Sequence, residues 1–408
     1  MFSFKSKLSS QLKDCLDSNL YIKYRVLINY KNFNKTLLDK ISGFKNATLH
    51  SVNDYINIIS CTLTKNHIEK LCEYPETICI CLDELCFISY SLSNSNHGSS
   101  IKNANYLKTN YNLDFSGRGI SIGLIDTGVY PHNDLSNPSK IKLFKDLIND
   151  YTYPYDDNGH GTFLSGVICG SGLGSKGVYD GIAKGSDICC VKAFDSNGRG
   201  FCSDILYAID YLIQESTSNN IRILCIPCEL LSHNTFILSL FDKIFKKAIL
   251  NNLIPIVSSG SNSYKDGIIG IGLLDSCLTV SGMDTSKGGY KSCDLSSYGP
   301  TLSKTQKPTI TAACKNISSL STIKSFIPER NGTKLYPPLL DTPYTTITST
   351  SISCAYICAC CSLILEKKPL LKFKDLLNLC QLCCKDVIDS KNIQGYGVLD
   401  ISSILFNL

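Results

Sequence analysis

The sequence predicts an α/β chain: a mainly parallel sheet with helices on both faces, preceded by a small α+β sandwich of the ferredoxin-like kind. Three observations predict it. From Ile101 onward, apolar strands alternate with helices of ten or more residues, the pattern that parallel crossovers require. Before about residue 90 the order is strand–helix–strand–strand–helix–strand, that of a split βαβ sandwich. Between them lies a polar stretch from Ser91 to Ser100 with the composition of an exposed linker. The expected division is therefore a domain over 1–90, a linker over 91–110 and a larger domain over 111–408.

In the first segment, 21–30 alternates as a half-buried strand does, and 33–41 has helical spacing. Residues 47–49 and 55–63 read as further strands, Thr64 can cap a short helix over 67–72, and 77–87 is a last apolar strand. His97, in the linker, reads as a solvated loop residue. In the second segment the strands fall at 120–125, 188–194, 221–226 and 254–258. Helices start near His160 and run over 203–213, 236–250, 352–365 and 375–387, before a closing turn at 395–400.

With 408 residues, 43% of them hydrophobic, the chain can build a large core in two or three domains. A net charge of +5 without a basic run gives no footprint for nucleic acid. No stretch approaches 18 uninterrupted apolar residues, which excludes a membrane span as an expectation. The polar residues after Lys7 do not form the apolar core of a secretory signal, so a cytoplasmic chain is expected. The 22 cysteines are too sparse for a disulfide scaffold. Cys169, Cys189, Cys190, Cys354, Cys358 and Cys361 stand where a core wants Ala or Val, so they read as reduced core filler. Cys225-x-x-Cys228 and the group Cys380, Cys383 and Cys384 do not make the matched pairs of a structural zinc site. No metal or cofactor is expected from them.

Three segments carry chemistry. Asp126 stands at the end of an apolar strand, in Leu124-Ile125-Asp126-Thr127-Gly128, at the edge where open α/β sheets gather functional groups. His160 lies between two glycines in Asp157-Asn158-Gly159-His160-Gly161-Thr162, where small neighbours let other groups approach the imidazole. Ser351, in Ser349-Thr350-Ser351-Ile352-Ser353, opens the long buried helix, among unpaired N–H groups that stabilise an oxyanion. Taken singly, each has a plainer reading as a turn former or a helix cap. In the order Asp, His, Ser they match one solution to nucleophilic acyl transfer.

On these motifs the chain resembles the subtilisin-like serine peptidases, the subtilase family, from about Gly117 to Asp400. It is most similar to the intracellular bacterial subtilases without a secretion signal. The stretches 126–135, 156–162 and 296–300, with Gly198-Arg199-Gly200 and Lys307-Pro308, have family counterparts. The resemblance implies a serine endopeptidase acting on protein or peptide substrates through an acyl-enzyme. Asp126 then orients the imidazole, His160 is the general base and then acid, and Ser351 is the nucleophile. His160 is expected within hydrogen-bond reach of both partners. Gly198 and Gly200 would lie on the edge strand that pairs with the substrate backbone. The 1–90 domain resembles the propeptide that chaperones and inhibits these enzymes, its last strand leading into the cleft. Asp134 resembles a calcium ligand of the family, without a readable ligand set around it.

The chain also departs from the family pattern. Ser349 replaces a glycine before the nucleophile. The oxyanion-hole asparagine falls on Ser261 in an ungapped alignment; Asn262, whose amide reaches farther, is the expected donor, brought round by one extra residue in the loop. Pro227-Cys228-Glu229 replaces the substrate-lining Ser-Leu-Gly. Ala312-Ala313-Cys314 replaces an Ala-Pro-Gly. The alternative reading is a peptidase relative that binds peptides without efficient turnover.

Overall fold

The computed structural model describes residues 4–31, 35–88, 90–92, 98–107, 115–262, 267–299, 305–388 and 390–407. His97 and part of the expected linker lie outside them, as do Pro300 and the first two positions of the expected 33–41 helix. The chain forms two compact units. One comprises Met1–Leu85 with Phe201–Asp210, the other Cys86–Gly200 with Tyr211–Leu408.

The first unit holds an antiparallel four-stranded sheet. Its spatial order is Thr48–Asn53, Ile58–Leu63, Tyr24–Tyr30, Thr77–Leu82. The helices Lys35–Gly43 and Lys65–Glu73 bury Leu37 with Ile41 and Ile68 with Leu71 and Cys72, the i, i+3/i+4 stripe that a sheet-covering helix needs. A helix that the sequence reading missed, Ser10–Asp17, is capped by Ser9 and buries Leu12 and Leu16. Leu12, Cys15 and Leu16 among five polar residues are too faint a period to stand out. At one side Arg25 serves two carboxylates. Its Nε lies 2.9 Å from Asp83 and its Nη2 2.5 Å from Asp204, with Ser203 bonded to both Arg25 and Asp83.

The second unit is built on a ten-stranded sheet. Its parallel strands, in spatial order, are Ile141–Asp146, Asp187–Lys192, Ser121–Asp126, Ile221–Ile226, Ile254–Ser258, Leu278–Asp284, Ile310–Ala313 and Val398–Leu399. Cys384–Lys385 and Lys291–Ser292 add antiparallel margins. Most inner strands are buried along their whole length, which gives the continuous apolar runs of a doubly covered sheet. Ile141–Asp146, Leu278–Asp284 and Ile310–Ala313 were not legible. The first two interleave charged or polar residues, and the third is four residues long.

The helix Thr350–Lys367 is long and apolar enough to cross a membrane. Here it is a core helix, buried from Thr350 to Leu365, and it packs on the helix His160–Cys169 and on five strands of the large sheet. Cys354, Ala355, Cys358 and Ala359 keep that helix surface small enough for close approach. All 22 cysteines are free thiols, most of them buried, and burial pushes the Cys169 thiol up to about 12. The sulfurs of Cys225, Cys354 and Cys358 lie within 4.8 Å of one another, a grouping that neither sequence pattern anticipated.

The Arg25 cluster makes the first unit pH-sensitive. Burial, with the charge of Asp83, pushes the Asp204 carboxyl from 3.8 up to about 6 against the pull of Arg25. A carboxyl raised on folding stabilises its unit fully below its unfolded value, and that contribution is lost as pH rises through the folded value. Hydrogen-exchange protection of the strand Tyr24–Tyr30 is therefore expected to fall between pH 4 and about 6, corrected for intrinsic exchange. Asp204→Asn should flatten that slope.

Candidate active site

Asp126 ends a strand in the middle of the parallel sheet and is fully buried. His160 is the first residue of its helix and Ser351 the second of the core helix. Nδ1 of His160 lies 2.9 Å from both carboxylate oxygens of Asp126. The backbone N–H of Thr127 donates to Asp126 Oδ1 at 2.7 Å, which fixes the carboxylate's orientation toward the imidazole. His160 Nε2 is buried and has no hydrogen-bond partner among the described residues. The ring of Tyr90 stacks on the imidazole, 5.7 Å between centroids. Beside them is a cavity of about 130 Å³ lined by Tyr90, Phe163, Thr322 and Ile347 among others.

The expected hydrogen bond between Ser351 and His160 is not formed. The Ser351 hydroxyl donates instead to the Pro227 carbonyl at 3.0 Å, while Nε2 is left unpaired. Ser349 caps the helix with φ −164°, extended backbone that any residue adopts, so replacing the family's glycine brings no strain. Its hydroxyl accepts the Ser351 N–H at 3.2 Å, the very donor that an oxyanion would use. Of the two side chains expected to supply the second donor, Asn262 and Ser261, the latter is also engaged. Ser261 follows Gly260, whose φ is +98°, and its hydroxyl donates to the Glu229 carboxylate. Asn262 is anchored through its backbone, its N–H donating to Ser297 Oγ at 2.8 Å and its carbonyl accepting from the same hydroxyl at 2.9 Å.

Residues 86–88 and 90–92 run through this cleft. Phe87 stands opposite Glu229 and Cys86 opposite Leu230 in antiparallel register. On the other side the Ile88 N–H donates to the Gly198 carbonyl at 2.9 Å, and the strand Arg199–Phe201 completes a three-stranded sheet. Gly200 packs so closely that a Cβ would stand 2.4 Å from the Ala193 carbonyl. Ser91–Leu92 then pairs with the strand Tyr344–Thr348, so part of the expected linker is sheet rather than loop. Asp134 spends its carboxylate on protein donors: Oδ1 accepts from Gly174 N–H and Oδ2 from the Tyr344 hydroxyl.

A residue that the sequence reading passed over ties the site together. The buried Asp156 carboxylate accepts from Thr127 Oγ1, Asn158 N–H and Gly159 N–H on one oxygen, and from Thr162 N–H and Oγ1 on the other. It thereby clamps the turn after Asp126 to the start of the His160 helix. Gly161 allows the clamp to close, since a Cβ there would stand 2.1 Å from the Gly128 carbonyl. Beneath the turn, the buried Lys192 ammonium donates to the carbonyls of Thr127 and Phe194 and to Asp157. The available signal was the turn-forming run Asp156-Asp157-Asn158-Gly159.

Residues 117–397 match the model of the subtilase family. The chain belongs to that family. Among curated relatives it is similar to the serine protease AprX of Bacillus subtilis, 29% identical over 299 residues, 70% of this chain and 66% of that protein. It is also similar to a subtilisin of Bacillus sp. TA39, 30% identical over 45% of this chain and 44% of that one. The chain thus spans less than two thirds of the length of these relatives. Among solved structures, this subtilase resembles the epidermin leader peptide processing serine protease of Staphylococcus aureus, solved as a serine-to-alanine mutant, with a TM-score of 0.73 and 17% identity over 94% of this chain and 99% of that one. Fervidolysin from Fervidobacterium pennivorans, a keratinolytic enzyme related to subtilisin, gives a TM-score of 0.67 and 17% identity over 95% and 61%. At such identities the likeness is one of fold.

Removing the clamp tests its role. Asp156→Ala leaves buried donors unpaired and is expected to destabilise the second unit by about 3 kcal/mol or more in urea unfolding. Asp156→Asn, which keeps acceptor capacity on one oxygen, should recover part of that loss.

Proposed function

We propose that this subtilase is a serine endopeptidase that cleaves protein or peptide substrates through Asp126, His160 and Ser351, and that residues 86–88 and 90–92, which follow the first unit in the chain, act as its built-in inhibitor. The observation that carries the reading is the paired contact of His160 Nδ1 with both Asp126 oxygens, which leaves Nε2 buried and unspent. An imidazole held in one tautomer with its second nitrogen free is a base in want of a proton.

The proposed steps begin with the binding of a peptide. A peptide lying along the path of residues 86–88 alternates its N–H groups between the two flanking strands. Since the Ile88 N–H serves Gly198, the next N–H of such a peptide turns to the Pro227 side. There it competes for the carbonyl that now holds the Ser351 hydroxyl. Displaced, the hydroxyl turns to Nε2, gives up its proton and attacks the peptide carbonyl. Asp126 stabilises the imidazolium, which then protonates the leaving amine. Water repeats the sequence on the acyl-enzyme and releases the acid. The many buried thiols suit a reducing compartment, and we place the activity in the cytoplasm.

A second reading, a peptide-binding module without efficient turnover, has one observation in its favour: the Ser351 N–H and the Ser261 hydroxyl are both engaged by neighbours, Ser349 and Glu229. A fluorophosphonate probe separates the two, because it reacts only with an activated serine. Wild type should label on Ser351 and Ser351→Ala should not; wild type that stays unlabelled supports the binding module. Tyr90→Ala, which uncovers the imidazole, should label faster than wild type if the resident segment inhibits. Ser349→Gly frees one oxyanion donor, and a donor of this kind is worth about 10²–10³ in turnover when fully available. A rise in kcat of about tenfold, with KM little changed, is the expected result.

A further inference from the structure

We propose that Glu229 selects a cationic side chain, lysine or arginine, at the substrate residue whose carbonyl Ser351 attacks. This inference rests on the peptidase reading above and adds a substrate class to it. The register of the cleft sets the geometry. Glu229 stands opposite Phe87 and Leu230 opposite Cys86. Carried forward two residues along a bound peptide, the same register brings the peptide's reacting residue opposite Pro227. The nucleophile is at that place, with Ser351 Oγ 3.0 Å from the Pro227 carbonyl oxygen. Residues facing each other across an antiparallel pair put their side chains on one face, and that face returns at every second residue. The reacting side chain therefore emerges on the face that carries Glu229, at the diagonal spacing of about 7–8 Å. Lysine and arginine have the length to span it, and short side chains do not.

The carboxylate is held in place for such a partner. Ser261 donates its hydroxyl to Oε1, and Oε2 lies against Gly260, where a Cβ would stand 2.9 Å from it. Glu229 is half-buried, and no cation pairs with it among the described residues. A partly desolvated carboxylate with one hydrogen bond gains from a second, charge-assisted one. An acidic side chain is repelled at the same position, and an apolar one strips water from the carboxylate without replacing it. The resident segment fits this division. Between Glu84 and Lys102 the sequence has no lysine or arginine, so the chain fills its own cleft without offering Glu229 the group it favours.

The test is hydrolysis by the full chain of peptides identical except at the reacting residue: arginine, lysine, norleucine or glutamate. Occlusion by residues 86–88 and 90–92 scales every kcat/KM alike, so the ratios report selection alone. Arginine and lysine are expected to exceed norleucine by about ten- to a hundredfold, with glutamate last. Glu229→Gln should bring the lysine-to-norleucine ratio close to one, and Glu229→Lys should turn the order toward glutamate. A lysine-to-norleucine ratio near one in wild type, or one that Glu229→Gln leaves unchanged, overturns the proposal whatever the absolute rates. If no peptide is hydrolysed, calorimetric titration with product peptides ending in lysine or norleucine makes the same comparison. A lysine preference lost in Glu229→Gln supports the proposal, and no preference overturns it. In that case a fluorophosphonate that also fails to label Ser351 marks the peptidase reading as the one at fault.

Discussion

The carboxylate of Asp156 is the constraint on which the geometry of the candidate site depends. A parallel sheet delivers Asp126 to its edge, yet nothing in sheet pairing determines where the next helix begins. Five hydrogen bonds from Thr127, Asn158, Gly159 and Thr162 converge on one buried anion and decide it. Charge-assisted bonds are stronger than neutral ones, and in a dry site the cost of leaving any of them unmade is high. The two glycines at the contact let the backbones approach closely enough, and Lys192 pins the turn from below. His160 therefore meets Asp126 with both oxygens in reach, held by groups that touch neither the imidazole nor the Ser351 hydroxyl.

On the nucleophile's side the resting structure satisfies itself. A buried N–H or hydroxyl without a partner is costly, and the replacement of small family residues by Ser349 and Glu229 supplies partners from within the chain. The hydroxyl of Ser351 likewise rests on Pro227. Residues 86–88 and 91–92 extend the sheets on both sides of the cleft, and Tyr90 covers the imidazole. Every one of these contacts is of a kind that a peptide can replace: strand pairing, a carbonyl acceptor, a carboxylate.

The legible parts of the fold were those with strong apolar periods. Ile221–Ile226 and Ile254–Ser258 are largely apolar runs, and the long core helix has no charged residue before Glu366. Leu278–Asp284 escaped because Thr279 and Ser281 interrupt its pattern; both hydroxyls are paired inside the unit, which no local pattern reveals. The expected end of the first domain near residue 90 differs from the compact unit's limit at Leu85 for a similar reason. Apolar residues 86–88 look like the continuation of a strand, and their partners lie more than a hundred residues away in the chain.

By itself the sequence determined which residue types are present and in what order: a carboxylate ending a buried strand, an imidazole between glycines, a hydroxyl opening an apolar helix. Those are local facts, set by the chemistry of neighbours and by the periods of strand and helix. Tertiary structure alone decided what each of them faces. It paired Asp126 with His160, turned Ser351 toward Pro227, gave Ser261 to Glu229, and made Asp156 the clamp. Hydrogen bonds are short and directional, and each of these contacts, the Thr127 end of the Asp156 clamp included, joins segments about thirty or more residues apart, so no short window of sequence contains both ends.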